Sequence, residues 1–201
     1  MIIGLHGKMG SGKSTVANEV VGILKDHNIQ AEIKSFANPI YQLTSFIFQE
    51  SVEEIKNNKN AVIRPRSFSG LRSYRQLLQN IGMELRDLVD IDIWVDALFG
   101  KGNSKILEDW TGNYKWWIID DLRFINEFDR IKVMGGKVLK IFRDIEDEDI
   151  NKTLPADIKK NQSELDLDNI PDDDWDLVID NNYDLKHSIW IINRYITTLL
   201  Y

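Results

Sequence analysis

The sequence predicts an α/β domain built on a five-stranded parallel sheet, and the order of its segments carries that reading. Short apolar runs alternate with stretches of helical periodicity along most of the chain. A glycine-rich loop closes the first apolar run and opens the first helical one. Two longer segments interrupt the alternation, each between consecutive strands.

Ile2-Ile3-Gly4-Leu5-His6 is apolar up to its last residue, the pattern of a strand covered on both faces. Lys13–His27 follows, with Val16, Ala17, Val20, Val21, Ile23 and Leu24 at helical spacing. Ala31–Phe36 alternates and reads as the second strand. Asn38 to Gly112 is then an insertion, mostly helical, with helices expected over Leu71–Val89 and Asp92–Phe99. Trp116–Asp120 is the third strand, Phe124–Met134 a helix stopped by Gly135-Gly136, and Lys137–Phe142 the fourth strand. Asp144 to Asp176 forms the second interruption. The turn-rich Pro171-Asp172-Asp173-Asp174 leads into the fifth strand, Leu177–Asp180, and Leu185–Leu200 is the last helix. Ile189, Ile192 and Ile196 share one face of it, which suits a core or a second copy alike, so a homodimer stays open.

With 201 residues, 43% of them hydrophobic, the chain can bury a core of its own, which excludes disorder for most of it. Zero cysteines remove disulfides, thiolate zinc sites and cysteine nucleophiles together. The three scattered histidines, His6, His27 and His187, argue against a histidine-built metal site. No apolar run approaches the roughly eighteen residues of a membrane span, and Met1-Ile2-Ile3-Gly4 lacks the layout of a secretory signal. A cytoplasmic protein with no membrane partner is the expectation. The net charge of −7 is unevenly placed: Asp144–Asp176 holds 13 acids against 3 lysines, and the remainder of the chain sums to +3. No broad basic stripe offsets that acidic block, so nucleic acid is not expected as a partner. A small polyanion in a local basic pocket is allowed.

Gly7-Lys8-Met9-Gly10-Ser11-Gly12-Lys13-Ser14-Thr15 fits G-x-x-x-x-G-K-[ST] without a mismatch, after a strand and at the head of a helix. Gly10 and Gly12 permit backbone angles that let successive N–H groups, Ser11 among them, converge on phosphate oxygens. The helix N-terminus, which carries Ser14 and Thr15, adds its partial positive charge. Lys13 supplies a point charge for the β- and γ-phosphates, Lys8 a second positive charge at the loop, and Ser14 a hydroxyl for Mg²⁺. A nucleoside triphosphate with Mg²⁺ is therefore the expected ligand.

Ligands of open α/β sheets bind beyond the carboxyl ends of the strands, and the third strand ends in Asp120-Asp121-Leu122-Arg123. A carboxylate there, Asp120 or Asp121, can hold the metal or its water, and Arg123 can grip a second phosphate in a forked geometry. Glu127, four residues on, can orient Arg123, touch the acceptor or form a plain ion pair within the helix. Arg64, Arg66, Arg72 and Arg75 fall in a stretch without an acid, and Arg75 with Gln79, one helical turn apart, is the first choice as a phosphate clamp. Arg143 closes the fourth strand, placed to reach the triphosphate or stack on its base. Trp94 can wall the acceptor pocket. His6 reads as structural.

At these residues the chain resembles the phage and viral deoxynucleoside monophosphate kinases of the P-loop kinase class. The resemblance runs through Gly7–Thr15, Ser35-Phe36-Ala37-Asn38-Pro39-Ile40, Arg75–Gly82 and Ile93-Trp94-Val95. It continues through Asp121-x-Arg123-x-x-x-Glu127, Gly135-Gly136, Arg143, Ser163-Glu164 and Asp180-Asn181. The family implies a three-layer P-loop kinase fold in one domain. Its core would be 1–37, 113–143 and 177–201, with an acceptor-binding insertion at 38–112 and a lid at 144–176. It also implies acceptor contacts from Ile40, Arg75, Gly82, Trp94, Asp121, Arg123 and Glu127, joined by Arg64 or Arg66. Met9 and Gly10 stand where some relatives carry basic residues, Met83 where threonine is frequent, and Asn161-Gln162 where a histidine is common.

The reaction implied is transfer of the γ-phosphoryl of ATP to the 5′-phosphate of a deoxynucleoside monophosphate, with Lys13, Arg123 and Arg143 acting on the transferred group. A phosphate monoester has its second pKa near about 6, so the attacking oxygen is already ionised and needs no general base. A dephospho-coenzyme A kinase, another small-molecule P-loop kinase and a nucleotide-driven switch ATPase are the alternatives. The first phosphorylates a sugar hydroxyl, which benefits from a positioned carboxylate that Ser35–Pro39 does not offer. The lid is expected to close over the triphosphate with its acids turned outward.

Overall fold

The structure, a computed structural model, describes residues 1–63, 72–101, 115–144, 166–183 and 185–201. It divides into two compact units, Met1–Ser35 with Ile106–Tyr201, and Phe36–Lys105.

The first unit carries strands β1 (Ile2–His6), β2 (Ala31–Lys34), β5 (Trp116–Ile119), β6 (Lys137–Phe142) and β7 (Leu177–Asp180). They form one parallel sheet in the order β2-β5-β1-β6-β7. Helix α1 (Lys13–Asp26) follows β1, α6 (Ile125–Val133) follows β5 and α7 (Leu185–Leu200) follows β7. The alternation of β1 decides the two faces. Ile3 and Leu5 join Val16, Ala17, Val20, Ile23 and Leu24 of α1 and Ile192 and Ile196 of α7 in one buried cluster. Ile192 and Ile196 are thus core residues of this chain. On the opposite face a Cβ at Gly4 would stand 2.7 Å from Ile131 Cδ1 and 3.1 Å from Leu122 Cδ2, so glycine lets α6 pack on β1 without displacing those side-chain tips. Gly136 has the same function at the turn into β6, where a Cβ would meet Ile131 at 2.7 Å and the Ile2 carbonyl at 3.0 Å.

Because the chain leaves β1 toward β2 and leaves β5 toward β6 on the other side, the order reverses between β1 and β5. Ligands of such sheets lie outside that crevice. The expected strands are present, with the second ending at Lys34 rather than Phe36 and the third at Ile119 rather than Asp120. Ser35 ends the second strand by turning its hydroxyl to Asp121, at 2.7 Å.

The second unit contains α2 (Asn38–Phe48), α3 (Val52–Asn57), the hairpin strands β3 (Val62–Ile63) and β4 (Arg72–Ser73), α4 (Tyr74–Leu88) and α5 (Ile93–Phe99). Tyr41, Ile55 and Tyr74 form its buried centre, with Phe48, Val52, Leu77 and Leu78 packed against it. Helix α4 starts at Tyr74 rather than Leu71 because Ser73 caps it: its hydroxyl accepts from the Gln76 N–H while the Gln76 side chain accepts from the Ser73 N–H. Ser51 and Glu54 close α3 in the same manner. Pro39 opens α2, where its missing N–H costs nothing.

Candidate active site

Gly7–Ser14 bridges β1 and α1, and its geometry depends on two glycines. Gly10 has φ 82° and Gly12 φ 99°, both left-handed values that side chains disfavour. Gly7 is packed closely enough that a Cβ would collide with the Ile141 carbonyl and stand 2.5 Å from Ser11 Oγ. The Ser11 N–H donates to the Lys8 carbonyl at 3.1 Å, and the Val16 N–H to the Gly12 carbonyl at 3.0 Å, so the loop runs directly into the helix. Lys13 Nζ donates to the Gly7 carbonyl and, at 2.8 Å, to that of Lys8. Its ammonium therefore rests on carbonyls of its own loop. Lys8, Gly10, Ser14 and Thr15 are exposed along the loop and the first turn of α1, and Ser11 is buried.

Beside this loop, one strand over, lies the end of β5. Gly4 pairs with Ile119 in register, and the Leu122 N–H donates to the Leu5 carbonyl at 3.2 Å. Asp120 and Asp121 are both half-buried there, with the Asp121 carboxylate accepting from Ser35. Arg123 is half-buried at the head of α6. Glu127, 2% exposed, accepts from the backbone N–H groups of Arg123 at 2.9 Å and Phe124 at 3.1 Å. Asp166 accepts from the next one, Ile125, at 2.9 Å. The start of α6 is thus satisfied by carboxylates, which its N-terminal dipole favours.

His6 sits at the end of β1 immediately before the loop. It is 5% exposed, its Nδ1 is 3.1 Å from the Leu122 carbonyl, and it stacks on Trp175 at 5.2 Å. Trp175 in turn meets Phe128 edge-on at 4.9 Å. Burial pushes the His6 imidazole below its ordinary pKa, opposed by the Leu122 carbonyl. A neutral imidazole leaves the positive charge of the loop to Lys8 and Lys13.

Arg143 follows β6 and is exposed. Beside it the Asn181 N–H donates to the Phe142 carbonyl at 2.9 Å, and Asp144 and Asn182 bond each other twice, at 2.7 and 3.1 Å. Most of the expected lid, 145–165, lies outside the described residues. In the described part Asp168, Asp172, Asp173 and Asp174 are exposed, and several of its acids meet lysines of the sheet and loop. Asp172 pairs with Lys140 at 2.7 Å, Asp176 with Lys137 at 3.0 Å and Lys132 at 3.3 Å, and Asp168 reaches Lys8 at 3.7 Å. Leu167 is fully buried and Trp175 nearly so. The mildly basic body of the chain neutralises this part of the acidic excess.

In the second unit, Ile40, Gly82 and Trp94 come together. A Cβ at Gly82 would stand 3.3 Å from Ile40 Cδ1, and Trp94 Nε1 donates to the Gly82 carbonyl at 2.9 Å. Arg75 and Gln79 lie on the face of α4 that carries Gly82, two turns and one turn earlier respectively. Arg75 Nε donates to Asn60 at 3.1 Å. Phe36, 3% exposed, meets Phe99 edge-on. Arg64 and Arg66 lie outside the described residues.

Sequence reasoning placed Asn181 only in the closing Asp180-Asn181 of the family resemblance, without a role, and did not single out Ser188. Asn181 Nδ2 donates to the Ser11 carbonyl and Ser188 Oγ to Asn181 Oδ1, both at 2.8 Å. An asparagine just past a strand was the available signal. The pairing with the loop, 170 residues away in sequence, was not readable.

Among the described residues no cluster of three histidine, cysteine or acidic side chains could hold a metal ion, and no helix is long and apolar enough to cross a membrane. No family model matches the chain. It is 29% identical over 157 residues to a protein of Acanthamoeba polyphaga mimivirus named "Putative deoxynucleotide monophosphate kinase", covering 71% of this chain and 74% of that one. A solved shikimate kinase from Aquifex aeolicus aligns over 100% of this chain and 98% of its own at 16% identity, with a TM-score of 0.43. A dephospho-CoA kinase from Campylobacter jejuni aligns over 99% and 94% at 15% identity, with a TM-score of 0.45. The glycine loop after β1 and the five-stranded parallel sheet fit the P-loop kinase fold, and the sequence similarity to the viral protein agrees with the family that the residues resemble.

Proposed function

We propose that the chain transfers the γ-phosphoryl of MgATP to the 5′-phosphate of a deoxynucleoside monophosphate, giving a deoxynucleoside diphosphate and ADP. The observation that carries this reading is that a glycine loop with its lysine and a pair of acids followed by an arginine leave adjacent strands at one end of the sheet. The glycine loop with Lys13 follows β1, and Asp120, Asp121 and Arg123 follow the adjacent strand β5. Lys8, Gly10, Ser11, Gly12, Lys13, Ser14 and Thr15 bind ATP. Arg123 grips the acceptor phosphate, and Arg143 reaches the transferred group. Asp121 and Glu127 position Arg123 and the acceptor. Ile40, Gly82 and Trp94 hold its nucleoside, with Arg75, Gln79 and Arg64 or Arg66 for its polar edges. The viral relative's name supports the choice of acceptor.

The oxygens of Ser14 and Asp120 fit Mg²⁺, a hard cation that takes few protein ligands and relies on substrate phosphates and water. When bound, the ion neutralises charge between the β- and γ-phosphates. An ionised phosphate acceptor needs no base, so positioning and fixed positive charge suffice for an in-line transfer. The test is ADP formation from MgATP with and without each deoxynucleoside and ribonucleoside monophosphate. The reading predicts turnover only with acceptor. Equal turnover without acceptor would instead support a hydrolytic switch.

A further inference from the structure

Asn181 is the first residue after β7, and each polar atom of its side chain has a partner of fixed type. Nδ2 donates to the Ser11 carbonyl at 2.8 Å, and Oδ1 accepts from Ser188 Oγ at 2.8 Å. The Ser11 carbonyl can only accept, so the amide must present its nitrogen there and its oxygen to Ser188. Ser188 lies on α7 with 0% exposure, so its hydroxyl has no bulk water to turn to. The Asn181 N–H is fixed as well, on the Phe142 carbonyl at 2.9 Å. Two strand ends and a helix thus converge on one residue, whose side-chain amide bonds the loop at the Ser11 carbonyl.

That carbonyl is a consequential one. Ser11 C=O and Gly12 N–H share a trans peptide plane and point in opposite directions. Gly12 stands at the head of α1 with φ 99°, and a Cβ there would lie 2.5 Å from Asn181 Nδ2. The side chain therefore occupies the space beside Gly12 and holds the peptide before it. A glycine-rich loop without such a hold has several peptide orientations to lose when it binds phosphate, and that ordering is subtracted from affinity.

We propose that Asn181 is a positioning residue of the phosphate loop: anchored by Ser188, it holds the Ser11 carbonyl away from the bound nucleotide and so aims the Gly12 N–H at its phosphates. This rests on reading the loop as the ATP site, and it adds to that site a residue from the far end of the chain.

The experiment measures MgADP and MgATP affinity by titration calorimetry, KM and kcat for ATP, and the thermal midpoint, on the full chain and three variants. Asn181→Asp sets an oxygen against the Ser11 oxygen and adds negative charge; the expected loss of nucleotide affinity is about tenfold or more. Asn181→Ala removes the hold, with an expected loss of about fivefold, and Ser188→Ala loosens it, with an expected loss of about threefold. The losses should appear in KM for ATP, with KM for the acceptor unchanged. A merely structural role would lower the thermal midpoint and leave the affinity of the folded protein as it was; that result overturns the inference. Should the Asn181 variants not fold, Ser188→Ala decides by the same criterion. If the unaltered chain binds neither nucleotide, the reading of the loop itself falls, a failure distinct from that of the hold.

Discussion

The buried carboxylate of Glu127 accepts the backbone N–H of Arg123 at 2.9 Å, reaching back over one helical turn to the residue proposed to grip the acceptor. The same oxygen accepts from Phe124, so the carboxylate fixes the backbone on which the arginine is mounted. Glu127→Ala strands both donors. We expect it to cost about 2–3 kcal/mol in urea unfolding, and Glu127→Gln, which keeps an acceptor, about 1 kcal/mol. A displaced Arg123 should also lower kcat by about tenfold or more in Glu127→Ala at saturating ATP.

Lys13 donates to the Gly7 and Lys8 carbonyls of its own loop, so truncating it removes charge without opening the core. Lys13→Ala should lose about 10²–10³ in turnover, comparable to removal of one preorganised transition-state donor. Its thermal midpoint should stay close to that of the unaltered chain. Near-normal turnover in this variant would contradict the mechanism.

Trp94, 5% exposed, ties α5 to α4 through the Gly82 carbonyl. Trp94→Phe keeps most of the buried ring and drops the donor, with an expected cost of about 1–2 kcal/mol. If the second unit holds the acceptor nucleoside, KM for the acceptor should rise while KM for ATP does not. Parallel changes in both constants would count against that assignment.

His6 is held below its ordinary pKa of 6.5, chiefly by burial. The unfolded chain therefore binds a proton at this site before the folded one does. Stability from a neutral His6 is complete above pH 6.5 and is lost as pH falls from there through the lowered folded value. Thermal midpoints measured from pH 7.5 down to pH 5 should fall more steeply for the unaltered chain than for His6→Asn. Asp176 titrates in a separate window: partial burial would raise it, but the Val138 N–H, Lys137 and Lys132 hold it below its ordinary 3.8.

Much of this was legible in the sequence because it is local. The loop Gly7–Thr15 states its own conformation through glycine, and the strands and last helix state theirs through periodicity. The insertion was visible as a break in rhythm. Its helices α2 and α3 were not separately visible, because their starts depend on Pro39 and on the pairing of Ser51 with Glu54. What sequence withheld is contact between distant residues. Nothing near Asn181 signals Ser11, nothing near Ser35 signals Asp121, and the lysines that neutralise Asp168, Asp172 and Asp176 are scattered from Lys8 to Lys140. The acids of this segment could not be matched to their lysines in sequence because those lysines are remote.

The most direct measurement follows the phosphoryl group itself. ATP labelled in its γ-phosphate is incubated with the protein, Mg²⁺ and a deoxynucleoside monophosphate, and the products are separated. The account predicts label in the β-phosphate of a deoxynucleoside diphosphate, with unlabelled ADP in equal amount. Label released as inorganic phosphate, at a rate indifferent to the acceptor, would contradict it.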